Sequence, residues 1–265
     1  DRRQVPAAAH FRFRPEADTP QILGRFMRAS RRGLWLRGTR SGVLQTCQIE
    51  GSEHMSNYAK QLNAHLASYK ARCLGALEPG TYIYRGRELR YEHILPKDQG
   101  WLNLLAPFRL DIQRYLSAHP DISLHRYFHH LNSSQAFALN LFFPYFENGG
   151  STQLLAAMGC TGELSSWEPE CIVDADEGTN VDVAWQSGGV RTYCEVKLSE
   201  QEFGTAQDDE RHRLKLEQIY RPALTGACSP EWLEPESFFK QYQLFRNVWL
   251  IAREPRANLV FLVPK

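Results

Sequence analysis

The chain has 265 residues, of which 43% are hydrophobic and 12% aromatic, ample for a packed core. Its formal net charge is only +1, so a nucleic-acid surface would have to be a local basic patch. No run of 18 apolar residues and no signal-peptide pattern occurs, and we expect a cytoplasmic globular protein that does not contact a membrane. Six scattered cysteines without a CxxC pair predict reduced thiols rather than a zinc site.

Residues 1–54 differ in composition from the rest of the chain. They hold ten arginines, no lysine and five acids, whereas residues 55–265 hold twenty-one Lys or Arg against twenty-five acids. The segment shows little periodicity and is rich in loop-prone clusters. We interpret it as a non-native or disordered basic extension upstream of a true start at Met55. The alternative is a basic arm that contacts phosphates.

Apolar periodicity and local capping signals define the predicted elements after this segment. Helices are predicted at residues 56–76, 102–118, 136–146, 151–158, 208–220 and 235–252. Strands are predicted at 81–84, 170–173 and 259–263, besides a hairpin at 180–197. The order is helices, three short strands, two helices and a last strand. This order predicts an α/β fold with a mixed sheet.

The hairpin has the sequence NVDVAWQSGGVRTYCEVK and turns at residues 188–189. A Gly-Gly pair between alternating runs is typical of a two-residue hairpin turn. Counting outward from the turn places Asp182 directly opposite Glu195. The sheet is therefore expected to hold two like charges against each other.

Period-2 alternation assigns each side chain of the hairpin to one of two faces. The face expected to pack in the core carries Val181, Val183, Trp185, Thr192, Cys194, Val196 and Leu198. The face expected to be polar carries Asn180, Asp182, Gln186, Arg191, Tyr193, Glu195 and Lys197.

Like charges directly opposed across two strands destabilise a sheet. Lys197, on the same face as Glu195, offsets part of the repulsion between Asp182 and Glu195. A divalent cation bridging the carboxylates would offset more, and carboxylate oxygens suit Mg²⁺. The alternative is a solvated face whose carboxylates extend into water beside Lys197. Spacing alone does not decide between the two.

The pattern of Asp182, a hairpin and then Glu195-Val196-Lys197 resembles the active-site motif of the PD-(D/E)xK nuclease superfamily. The flanks HRYFHHLNSSQAFALNLFFPYF, YCEVKLSEQEFG and QYQLFRNVWLIARE are similar to a bacterial restriction-endonuclease-like family of that superfamily. The resemblance covers residues 55–265. It implies a restriction-endonuclease-like core at about 133–265, built from helix, three-stranded meander, helix and strand, with an N-terminal helical extension.

The resemblance also implies Mg²⁺-dependent hydrolysis of DNA phosphodiester bonds, with Mn²⁺ as a substitute and a role in host defence. Asp182, Glu195 and Lys197 would be the catalytic residues. The metal ligands would be the carboxylates of Asp182 and Glu195 and the backbone carbonyl of Val196, with Glu170 as an additional acid. The ion would polarise the phosphate while Lys197 orients the attacking water.

Four polar residues are weaker candidates for DNA contacts. Arg211, Lys215 and Gln218 share one face of the predicted helix 208–220, for which a solvated face is the equal alternative. Gln135 stands at the start of the predicted apolar helix. His125 and His129 are spaced like metal ligands, but a third ligand is missing, and we interpret them as ordinary polar residues.

Two other function classes stay open. One is a catalytically inactive nucleic-acid-binding module with the nuclease fold, and the other is an unrelated hydrolase, such as a glycosidase that uses paired carboxylates. The expected partner is DNA, and a homodimer is left open. Cleavage assays with Mg²⁺, Mn²⁺ and a chelator would separate these classes.

Overall fold

In the computed structural model, the structure describes residues 35–38, 44–47, 52–174, 177–199, 204–254 and 256–263. Most of the predicted extension 1–54 therefore lies outside the described residues. Within it, strand β1 (Trp35–Gly38) pairs antiparallel with β2 (Leu44–Cys47).

From residue 52 onward, helices and short strands follow one another in nearly the predicted order. The helices are α1 (Ser52–Tyr69), α2 (Arg109–Ala118), α3 (Ser134–Glu147), α4 (Ser151–Ala157), α5 (Glu210–Lys215), α6 (Arg221–Leu224), α7 (Pro235–Lys240) and α8 (Tyr242–Arg253). The strands are β3 (Gly80–Tyr84), β4 (Arg87–Tyr91), β5 (Leu164–Asp174), β6 (Thr179–Ser187), β7 (Val190–Val196) and β8 (Asn258–Leu262). Lys70–Leu74 and Leu216–Tyr220 are π-helical, and Lys97–Asn103 and Pro230–Leu233 form 3₁₀ turns.

The central element is a four-stranded mixed sheet in the order β5-β6-β7-β8. The first three strands form an antiparallel meander, and β8 adds parallel to β7. A parallel neighbour needs a crossover connection, which α5 to α8 supply between β7 and β8. The predicted mixed α/β class is confirmed.

Helices cover both faces of this sheet, so the expectation of one core face and one polar face is wrong. On the first face, Val183, Trp185, Cys194 and Val196 pack against α3 and α4, as predicted. The second face packs against residues of the α5–α8 segment through Val181, Ala184, Tyr193, Leu259 and Phe261. Val181 was expected on the first face but packs on the second. The regular alternation of side chains between the two faces breaks at Asp182, next to Val183, where the β6–β7 ladder ends.

Four predicted helices differ clearly from the structure. The helix expected over 56–76 begins at Ser52 and changes from α to π geometry at Lys70. The helix expected over 102–118 begins only at Arg109, because Leu104 is extended and Pro107 disfavours helical geometry in the residue before it. The helix expected over 208–220 changes from α to π geometry at Leu216. The helix expected over 235–252 is broken at Gln241, which separates α7 from α8.

The predicted strand 81–84 is confirmed as β3, and its partner β4 was missed. The two strands form a hairpin whose turn residues, Arg85 and Gly86, have φ values of 49° and 76°. Positive φ at both positions is the geometry of a tight I′ turn. The sequence RELRY of β4 has three charged residues among five, which weakens the hydrophobic pattern of a strand.

In the described part of the chain, no helix is long and apolar enough to cross a membrane. Cys73, Cys160, Cys171, Cys194 and Cys228 are free thiols, and all of these except Cys73 are buried.

Candidate active site

Three carboxylates lie at the same level of three adjacent strands. The β5–β6 register places Glu170 level with Asp182, and the β6–β7 register, extended by one position, places Asp182 level with Glu195. We call these three residues the acidic row. Adjacent strands are about 4.8 Å apart, so a row of this kind concentrates negative charge.

The predicted hairpin register is confirmed as far as the pair Val183–Cys194, where the β6–β7 ladder ends. At the next position, the Asp182 carboxylate accepts a hydrogen bond from the backbone N–H of Val196 at 2.6 Å. A side chain thus takes the place of a backbone acceptor where the two strands separate. Asp182 is fixed against the Glu-Val-Lys segment of β7.

Glu195 is buried, with 3% of its surface exposed, which contradicts the alternative of a solvated face. Its Oε1 accepts hydrogen bonds from Lys197 Nζ at 2.8 Å and from Gln243 Nε2 at 2.5 Å. Its Oε2 accepts one from Asn247 Nδ2 at 3.3 Å. Gln243 also accepts from Lys197 Nζ at 2.9 Å through Oε1. Helix α8 therefore closes the site over Glu195 and Lys197.

The electrostatics of the acidic row follow from its burial. Burial raises the pKa of Asp182 well above its usual value, and repulsion from Glu195 and Glu170 adds to the rise, whereas the N–H of Val196 and the ammonium of Lys197 oppose it. Burial also raises the pKa of Glu170 to about 7. The contribution of the neighbouring carboxylates has the direction expected when like charges are brought together. The site favours a proton or a cation over bare negative charge.

Glu170 has a left-handed backbone conformation with φ 52°, in the middle of β5. A residue with a side chain adopts this conformation at a cost of about 1–3 kcal/mol, and such residues cluster at functional sites. Asn180 Nδ2 lies 3.5 Å from Glu170 Oε2. The strained backbone supports a functional reason for the acid at this position.

The structure places Gln135 beside the acidic row. Ser133 caps α3 by accepting from the N–H of Ala136 at 3.3 Å, as predicted, and Gln135 follows in the first turn. The amide of Gln135 is buried, accepts from the N–H of His125 at 2.8 Å through Oε1 and donates to the carbonyl of Ser123 at 2.9 Å through Nε2, and its proximity opposes the rise in the pKa of Glu170. Gln135 is therefore better placed to hold Glu170 than to contact DNA.

The other three candidate DNA contacts separate in the structure. Arg211 and Gln218 are exposed. Lys215 forms an ion pair of 2.8 Å with Glu177, which is buried and also accepts hydrogen bonds from tyrosine hydroxyls. The charge of Lys215 is thus balanced within the protein, and only Arg211 and Gln218 keep the geometry of surface contacts.

Among the described residues, no three His, Cys, Asp or Glu side chains converge closely enough to hold a metal ion as they stand. Mg²⁺ retains several waters and often uses only one or two protein carboxylates. Asp182 and Glu195 fit this donor chemistry. Glu195 would have to exchange a hydrogen bond from Lys197 or Gln243 for the ion. The Val196 carbonyl as a ligand stays a prediction.

Gln243 and Asn247 were missed by the sequence analysis. They lie one helical turn apart on α8, and both contact Glu195, about fifty residues earlier in the chain. The only signal available was a pair of amides at i and i+4 in a largely apolar helix that also carries Arg246 and Arg253. That spacing does not reveal which strand the amides contact.

Fold and site together define a mixed α/β protein in which three adjacent strands carry the acidic row, with Glu195 buried and paired to Lys197. The chain belongs to the family described as "restriction endonuclease associating with ARP", whose model matches residues 53–265. This membership places it in a restriction-endonuclease-like family and indicates a nuclease-like role. A search of curated proteins and a search of solved structures each found no match.

Proposed function

We propose that this protein is a Mg²⁺-dependent endodeoxyribonuclease of the PD-(D/E)xK type that acts in restriction of foreign DNA. The observation that carries the proposal is the acidic row next to Lys197, which is held by Glu195 and Gln243. A surplus of closely spaced carboxylates beside one ordered ammonium suits phosphodiester hydrolysis, where a cation, a water and a phosphate must meet.

In the proposed reaction, Asp182 and Glu195 would hold the ion, and Glu170 would be an additional ligand. A bound Mg²⁺ supplies polarisation of the phosphoryl oxygen and stabilises the charge that develops there. Lys197 Nζ donates to the attacking water and orients it toward the phosphorus. Gln243 Oε1 accepts from Nζ at 2.9 Å and restricts where the ammonium can point.

The inactive nucleic-acid-binding module is the second candidate. In its favour, protein donors already satisfy both oxygens of Glu195 through Lys197, Gln243 and Asn247. Such an arrangement is stable without an ion. The family match argues against an unrelated glycosidase.

The test is cleavage of closed circular DNA, which only an endonuclease can open. We expect nicked or linear DNA with Mg²⁺ or Mn²⁺ and intact DNA with a chelator. Asp182→Asn keeps the shape of the side chain but should abolish cleavage. Glu168→Gln is the matched control, because Glu168 lies on β5 two residues before Glu170 and pairs with Arg191 at 3.6 Å.

DNA that stays intact with both metals, although the protein binds it, would favour the inactive module. Equal cleavage by the wild type and Asp182→Asn would show that the activity lies elsewhere.

A further inference from the structure

Aromatic rings from two separate segments meet on the surface of the β3–β4 hairpin. We define the tyrosine patch as Tyr82, Tyr84 and Tyr91 of the hairpin with Tyr127 and His130 of the segment between α2 and α3. The ring of Tyr82 is central, at 5.2 to 6.5 Å from each of the other four rings. Tyr127 and His130 are 4.8 Å apart. The rings form one continuous aromatic surface.

Cations border this surface. The guanidinium of Arg126 lies 4.4 Å above the ring of Tyr127, and that of Arg85 lies 5.2 Å from the ring of Tyr84. Arg87 pairs with Tyr84 across the hairpin, so both point to the same face.

The only carboxylate within the two strands of the hairpin is on its other face. Glu88 pairs there with Ile83. The tyrosine face of β3 and β4 is therefore aromatic and positively charged.

The histidine of the patch is uncharged at neutral pH. Burial lowers the pKa of His130 to about 4, and repulsion from neighbouring histidines adds to the fall. Burial also lowers the pKa of His93 and His125. At neutral pH, the His130 ring therefore contributes an uncharged aromatic surface, and the positive charge of the patch comes from Arg85, Arg87 and Arg126.

Two connections join the patch to the active site. Asn132, two residues after His130, lies 3.5 Å from Ser199 Oγ, two residues beyond Lys197. On the other side, the N–H of His125 donates to Gln135, which holds Glu170. The ring of His125 in turn contacts that of Tyr127 at 5.2 Å, so a short chain of contacts links the patch to the segment that carries Gln135.

We propose that the tyrosine patch binds unpaired DNA bases by stacking and holds a single-stranded segment beside the cleavage site. The inference rests on the proposed function, because DNA is the substrate it assumes. Aromatic platforms bordered by cations suit single strands, since every base has a π face and every nucleotide a phosphate. The open rings of Tyr84 and Tyr91 accept bases, and Arg85, Arg87 and Arg126 meet the phosphates.

The hairpin supplies a matched pair of variants. Tyr84 and Ile83 are adjacent and equally exposed, at 48% and 50%, but point to opposite faces. Fluorescence anisotropy with a labelled single strand, in EDTA to prevent cleavage, measures binding by the full chain. We expect about tenfold weaker binding for Tyr84→Ala, because one stacked base is worth about 1–3 kcal/mol. Ile83→Ala should bind like the wild type.

A strand of abasic nucleotides of equal length separates stacking from charge. It keeps the phosphates, so Tyr84→Ala should bind it no more weakly than the wild type does. Equal binding of the ordinary strand by the wild type and Tyr84→Ala, or equal losses in Tyr84→Ala and Ile83→Ala, would overturn the proposal.

The test also separates failure of the proposed function from failure of the patch. If the wild type cleaves no DNA but Tyr84→Ala still loses binding selectively, the nuclease function is rejected and the patch is upheld. If the wild type cleaves and Tyr84→Ala binds and cleaves single strands normally, the patch is rejected and the function is upheld.

Discussion

Two buried glutamates in this protein each pair with a lysine at 2.8 Å: Glu195 with Lys197 and Glu177 with Lys215. Their surroundings differ. Glu177 accepts further hydrogen bonds from the hydroxyls of Tyr220 and Tyr242, which carry no charge.

Glu195 instead shares its site with two more carboxylates, Asp182 and Glu170. One lysine balances one glutamate at the first site, whereas one lysine meets three acids at the second. The N–O distance is the same in both ion pairs, so this distance does not show which of the two lysines has a functional role. The surplus of negative charge identifies the site that is prepared for a cation.

The largest expected effect is loss of cleavage at the unbalanced pair. Lys197→Ala should slow the chemical step by about 1000-fold, because the water loses its oriented donor. Single-turnover cleavage at saturating DNA measures this rate, and unchanged DNA affinity is the control. Wild-type rates in Lys197→Ala would rule out the assignment of this site.

The balanced pair should behave in the opposite way. Lys215→Ala leaves Glu177 buried without its cation, so the free energy of unfolding should fall by about 3 kcal/mol. Cleavage by the folded variant should stay close to the wild-type rate, because Lys215 does not contact the acidic row. Urea denaturation and cleavage assays on the same sample measure both. If Lys215→Ala lost as much cleavage activity as Lys197→Ala, the conclusion that only the Glu195–Lys197 pair is catalytic would be wrong.

Gln243 extends the comparison, because it contacts both partners of the Glu195–Lys197 pair, whereas Glu177 accepts from two tyrosine hydroxyls. Gln243→Ala should reduce the cleavage rate by about 10- to 100-fold, since Lys197 keeps its charge but loses one restraint. Gln243→Glu restores an acceptor for Lys197 and should recover part of the rate. Gln153→Ala, on the exposed side of α4, is the control and should cleave normally. A rate unchanged in Gln243→Ala would leave Lys197 positioned by Glu195 alone.

The smallest expected effect is stabilisation by metal. The raised pKa of Glu170, about 7, favours the folded state when the group is protonated, so this contribution is present at acidic pH and is lost as the pH rises through 7. Mg²⁺ binds ionised carboxylates and should raise the melting temperature by a few degrees above pH 7 and hardly at all near pH 5.

Asp182→Asn is the control for the metal effect and should show little response to Mg²⁺. An equal shift in the wild type and this variant would place the ion away from the acidic row.

Local patterns were sufficient to predict the hairpin and three of the site residues. The Gly-Gly turn and the alternation around it depend only on neighbours in sequence, and they placed Asp182, Glu195 and Lys197 together. Burial of the polar face was not predictable, because it depends on α8, whose amides are 46 to 52 residues away from Lys197 and Glu195. The periodicity of apolar residues predicts a helix but does not show which strand that helix will cover.

One stability expectation also changes with the structure. Repulsion between opposed like charges, taken alone, predicts that Asp182→Ala would leave the fold as stable or slightly more so. The Asp182 carboxylate, however, accepts from the N–H of Val196, and an unpaired buried N–H costs about 1–3 kcal/mol. The two effects oppose each other, so a net gain is no longer expected.

The edge strand β5 has a further consequence for how copies of this protein can meet. An exposed strand of eleven residues would ordinarily be a template for another chain to extend the sheet. Pro169 has no N–H to offer, and the left-handed backbone of Glu170 interrupts the extended run at the next residue. Both features disfavour continuous pairing along this edge. The same irregularity that presents an acid to the site thus protects the sheet from self-association through β5.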